Sequence, residues 1–179
     1  MKKTNPLKVI QIEAYANKIR KEFNVDVNSY FPIYEILEKL HSDGSLTIQI
    51  MDDNDSIFVD ESELAKYSPV DNFIYVKEKI ITGYEENDYR SNFTLAHEFF
   101  HYIQHQILEF DFCNVEKCNA YEDPEWQADE FAGQLLIPTS FLELDDDTLC
   151  KMFHVTPECV ATRKLYYKKR KERSRLKSY

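Results

Sequence analysis

Glycine is almost missing from this chain: its 179 residues include three. A loop that cradles phosphate with backbone N–H groups needs several glycines in a short span, so nucleotide binding through such a turn is excluded. No uninterrupted apolar run reaches about 18 residues, the length at which a helix can span a bilayer. The N-terminal MKKTNPLKVIQIEAY carries charge with no apolar segment behind it, which argues against a secretory signal and for the cytoplasm. Internal repeats and low-complexity tracts are also absent. Cys113, Cys118, Cys150 and Cys159 show no C-x2-C spacing, which excludes a zinc ribbon or a thioredoxin-like motif and leaves reduced thiols as the expectation.

What is present suits one folded domain. Hydrophobic residues make up 43 % of the chain, enough for a core. The net charge is −10, unevenly spread. Residues 163–179 hold nine Lys/Arg and one acid, so that segment carries +8 and the remainder −18. Such a body attracts basic partners and repels nucleic acid, while the tail could meet an anion.

Periodicity predicts an α+β fold in the order α-α-β-β-β-α-α-α-α. Residues 6–22 form a helix with Ile10, Ala14 and Ile19 on its apolar stripe, and Pro32 opens a second helix ending near His41, which reads as a surface residue. Leu46, Ile48 and Ile50 alternate with polar neighbours as a half-buried strand. Ile57 to Val59, Phe73 to Lys77 and Ile80 to Thr82 read as further strands, with 60–71 as a turn-prone separator. From about residue 88 the chain turns helical, with Leu95, Phe99, Tyr102 and Ile103 on one face. After a loop over 109–122, Asp123-Pro124 reads as an N-cap and first residue of a helix that Pro138 stops near Leu136. Two helices follow, at about 145–153 and 157–170, the second capped by Thr156 with Val155 stapled to Val160. The expected organisation is residues 1–45 as N-terminal helices, 46–142 as a small antiparallel or mixed sheet packed on the central helices, and 143–179 as a helix-turn-helix-like pair with a basic tail. Within it, His154 reads as a surface residue and Trp126 as packed.

His97-Glu98-Phe99-Phe100-His101 is an HExxH motif within a predicted helix. Positions i and i+4 are rotated by about 40° and separated by about 6 Å, so both imidazoles can converge on one ion. Glu98 then flanks the place of a water whose pKa the metal lowers, and can act as general base. His105 shares the face but lies about 12 Å along the helix from His97, too far to complete the site, and position 107, where a third His could fall, is Ile107. Glu125 is the better third ligand: it opens the next helix, with Asp129 one turn later to accept an N–H from a metal-bound histidine. Two His and one Glu leave a fourth position for water, the hallmark of a catalytic site. Zn2+ is the default, and Mn2+ or Fe2+ fits the same ligands. His105, Arg90 and Tyr75 are candidate donors to an oxyanion or to substrate.

Three blocks, RSNFTLAHEFFHYIQH, EWQADEFAGQLLIP and LCKMFHVTPECVATRKL, closely resemble those of the ImmA/IrrE family of metallopeptidases over about residues 70–165. Glu125, Ala128, Asp129, Phe131, Ala132, Leu135, Leu136 and Pro138 fall where that family has them. The resemblance implies a zinc endopeptidase with His97, His101 and Glu125 as metal ligands, Glu98 as base and Asp129 behind a ligand. Its implied substrate is a partner repressor of the XRE-type helix-turn-helix class, whose cleavage relieves transcriptional repression in a phage, mobile element or stress locus. Phe100 stands where many members have Gly, so it is expected to pack against a different neighbour, and Val160 replaces the usual Ala. An exposed strand at Phe73 to Lys77 would hold an extended substrate by strand addition.

Two other readings compete. A non-catalytic, metal-containing partner could sequester a repressor or toxin. A DNA-binding regulator could use Arg163, Lys164, Lys168, Lys169 and Arg170 on phosphates, against the repulsion of the acidic body.

Overall fold

The computed structural model describes residues 1–59 and 61–176, with side chains to Glu172. The chain opens on a short strand, β1 (Lys2–Thr4), then α1 (Val9–Glu22) and α2 (Ile33–Ser42). The buried face of α1 is Ile12, Ala16, Ile19 and Arg20, while Ile10 is 72 % exposed. The expected stripe through Ile10 and Ala14 is thus displaced, because α1 packs on a later helix through the Ile12 side.

A three-stranded sheet follows: β2 (Thr47–Met51), β3 (Ala65–Ser68) and β4 (Phe73–Lys77) in the order β2-β4-β3. β2 pairs parallel to β4 and β3 antiparallel to it, so the sheet is mixed. Because β4 is the central strand, it has no free edge, and the idea that it receives an extended substrate falls. Residues 57–59 form a turn in place of the expected strand: Asp52 and Asp55 accept the amides of Asn54 and Ile57. The third strand comes instead from the stretch read as a separator, where Ala65 and Tyr67 alternate inward. Ile80 to Thr82 is helical within α3 (Glu78–Glu85), which buries Ile80 and Ile81. β-branched residues suggested a strand there, and packing decided otherwise.

The long central helix α4 (Arg90–Tyr102) passes into a π-helical turn, Ile103–Ile107. A further strand, β5 (Phe112–Asn114), returns to pair antiparallel with β1, an element that periodicity did not announce. α5 (Pro124–Leu136) begins as expected, with Asp123 capping the Glu125 amide. α6 (Asp146–Phe153) and α7 (Pro157–Leu176) complete the described chain. The Cys159 amide donates to Thr156 Oγ1, and Val155 and Val160 are both buried.

The core lies between α4 and α5, where Phe100 stacks on Phe131 with centroids 4.3 Å apart. Arg20 reaches from α1 to the far end of α5: its guanidinium donates to the Leu135 carbonyl (2.6 Å), to Asp26 O (2.7 Å) and to Ser29 O. On the opposite flank α7 is tied down by Arg163, which is 4 % exposed and donates to Glu130, Gln134 and Thr139. Gly133 leaves room for that approach, since a Cβ there would sit 3.3 Å from Arg163 Cδ, a tight contact. His154 takes the left-handed conformation ending α6, and its ring lies between Tyr30 (4.3 Å) and Tyr89 (4.9 Å). It is a packed residue, contrary to the surface position expected.

Candidate metal centre and catalytic cleft

α4 and α5 lie against each other so that His97, His101 and Glu125 face one point. Their donor atoms fall within 4.8 Å of one another. His97 Nε2 is 3.1 Å from His101 Nε2 and 3.3 Å from Glu125 Oε2, and His101 Nε2 is 3.5 Å from the same oxygen. Tetrahedral ligands at about 2.1 Å from zinc are spaced about 3.4 Å apart, so this triangle has the dimensions that such an ion requires. Asp129 stands one turn beyond Glu125, and its Oδ1 lies 2.9 Å from His97 Nδ1. Glu130, its neighbour, points the other way into Arg163 and Arg170.

The electrostatics follow from this crowding. Burial alone would lower the pKa of His97, but Asp129 and Glu125 outweigh it and push it up to about 10. Hydrogen bonds from His101 and His97 hold Glu125 far below the ordinary carboxylate range. Glu98 is raised by burial, with His101 and His97 opposing. Its Oε2 accepts the backbone N–H of Tyr67 at 2.7 Å, on the outer edge of β3.

A cleft of about 210 Å3 opens over the triangle, lined by Glu98, His101, Glu125, Tyr67, His105 and Phe112. His105 therefore lies on the rim of the site; its ring stacks on Phe112 with centroids 3.9 Å apart, after the π-turn. Arg90 and Tyr75 do not line this cleft. Tyr75 belongs to β4 and its hydroxyl donates to Asp71 (2.5 Å). Arg90, at the start of α4, lines a separate cavity of about 540 Å3 between α4, α5 and α7, together with Phe93, Trp126 and Tyr166. That cavity touches the centre through Asp129.

Sequence reasoning missed three residues here. Tyr67 holds Glu98 through its main chain, for which no side-chain signal exists. Gln104 Oε1 lies 3.0 Å from His101 Nδ1, and Gln104 Nε2 donates to Gln127 (2.8 Å). The spacing of Gln104, three residues after His101, is the one available hint, because i and i+3 are neighbours on a helix.

A buried helix carrying two histidines and a glutamate, faced by a carboxylate pair on the next helix, defines a metallopeptidase-like domain. Residues 59–163 match the IrrE N-terminal-like domain of the M78 peptidase family, and the chain belongs to that family. Among solved structures, it is similar to a Mycobacterium tuberculosis transcriptional regulator, with 15 % identity and a TM-score of 0.55. That similarity covers 86 % of this chain and 55 % of the regulator, and it concerns the fold. Comparison with curated proteins gives no match. Among the described residues, no helix is long and apolar enough to cross a membrane.

Proposed function

We propose that this protein is a zinc-dependent endopeptidase of the cytoplasm that cleaves a helix-turn-helix repressor of the XRE type, with His97, His101 and Glu125 holding the ion. The reading rests above all on the donor triangle, three atoms from two helices within 4.8 Å. Family membership supports peptidase chemistry, and the acidic body suits a basic substrate such as a DNA-binding repressor. A bound divalent ion supplies Lewis acidity, lowering the pKa of water and polarising the scissile carbonyl.

This chain's residues do the rest. Glu98 takes the proton from the attacking water and delivers it to the departing amine. The Tyr67 N–H fixes Oε2 of that carboxylate, so Oε1 is the oxygen left for proton transfer. Asp129 orients the His97 ring through Nδ1. His105, on the cleft wall, is the candidate donor to the oxyanion, in place of Arg90 and Tyr75.

The test is co-expression with candidate XRE-type repressors from the same genome. The wild type should give one discrete cut. Glu98→Gln should retain metal and fold but lose at least about 100-fold in rate. Unchanged cleavage by the variant would refute the assigned base, and wild-type protein that takes up no metal would refute the centre.

A further inference from the structure

We infer that Gln104 and Gln127 form a buried amide relay that fixes the tautomer of His101 and ties it to the N-terminal segment, an inference that rests on the metal-centre reading for its function.

The argument starts at the far end. Gln127 Nε2 lies 2.8 Å from the Asn5 carbonyl and 2.6 Å from the Tyr121 carbonyl. Both are acceptors, so only the NH2 end of this amide can face them. Gln127 Oε1 must then point the opposite way, where it accepts from Gln104 Nε2 at 2.8 Å. That turns Gln104 Oε1 toward His101 Nδ1, 3.0 Å away. An amide oxygen can only accept, so Nδ1 of His101 carries a proton, and Nε2 is the nitrogen left to meet an ion. Nε2 is the atom that faces His97 and Glu125. Amide orientation is ordinarily ambiguous, but two backbone carbonyls remove the ambiguity here and pass a polarity through two side chains to the imidazole.

Burial makes the relay effective. Gln104 and Gln127 are both 0 % exposed, so neither amide can turn over and find water as a substitute partner. The two histidines are thus oriented by different means. His97 leans on a carboxylate that is 61 % exposed, whereas His101 leans on neutral amides inside the core. A carboxylate at position 104 or 127 would carry a desolvation penalty that the amides avoid. The relay also ends where β1 meets the loop before α5: Asn5 Oδ1 accepts the Asp111 amide, and the Leu7 amide donates to Tyr121 O. The N-terminal residues therefore help to position a ligand more than ninety residues away in sequence.

Gln104→Met and Gln127→Met keep the side-chain volume and remove the polarity. Nitrogen-15 NMR of the imidazoles reports the tautomer, and chelator competition reports zinc affinity. In the wild type His101 should carry a slowly exchanging Nδ1–H, with and without zinc. Gln104→Met should lose it and bind zinc about 10–100-fold more weakly. Gln127→Met, which leaves the neighbour of His101 in place, should show both tautomers; it decides the question if Gln104→Met does not fold. A wild-type His101 protonated at Nε2 alone overturns the relay, as do variants with unchanged tautomer and affinity. Wild-type protein that binds no zinc defeats the peptidase reading, while the metal-free tautomer still decides the relay.

Discussion

Among single residues, His105 carries a distinct pH signature. Burial, with the charges of His101 and Lys2 nearby, lowers its pKa to about 4 from the ordinary 6.5. The unfolded chain then takes the proton more readily than the folded one. His105 contributes its full stability above about pH 6.5 and loses it as the pH falls toward 4. Melting temperatures measured across that window should fall less steeply for His105→Phe than for the wild type. Parallel curves would mean that the imidazole is hydrated in the folded protein. Residues brought together by helix spacing are the legible ones: the convergence of His97 and His101 follows from an HExxH motif on a predicted helix, and that of Glu125 and Asp129 from a cap and one turn. Gln104 left one hint, its place three residues after His101, while Tyr67 and Gln127 were beyond reach, because their roles depend on contacts across 31 and 23 residues and on amide and main-chain groups found everywhere.

Elements owe their positions to a few buried polar ties. Glu130 on α5 receives Arg163 at 3.5 Å and Arg170 at 3.0 Å, and both Glu130 and Arg163 are nearly inaccessible. Removing one member strands a charge in the core, which costs about 3–5 kcal/mol. Glu130→Ala should therefore lower unfolding free energy by about that much in urea. Glu143→Ala, which breaks the exposed contact with Lys171, should change it by less than about 1 kcal/mol. Equal effects would show that Glu130 is a surface acid in solution. Element identity was readable where caps and prolines mark it, as at Asp123-Pro124 and Thr156-Pro157. It was not readable at Ile80 to Thr82, where side-chain shape favours a strand and the surface of α4 imposes a helix. Nor was it readable at β1 and β5, three residues each, which exist through pairing with one another.

At the level of the whole molecule, the basic C-terminal segment is less available than its composition suggests. Arg163 is buried, Lys164 holds Asp146 and Leu144 O, and Arg170 and Lys171 hold Glu130 and Glu143. Among the described residues, four of the six basic groups between Arg163 and Lys171 are thus directed at the chain itself, against the phosphate-binding reading. Titration with duplex DNA should give no specific complex at moderate salt; tight binding with a steep salt slope would reverse that conclusion.

Arg20 binds the last turn of α5, the Asp26–Ser29 turn and α1 into one unit through three carbonyls. Local opening of the N-terminal helices would therefore unlatch the helix that carries Glu125 and Asp129. Amides of α1 and α5 should exchange with deuterium as one cooperative group, and Arg20→Met should accelerate both together. A proteolytic nick or destabilising change near residue 20 would then silence the centre without touching any residue that lines it.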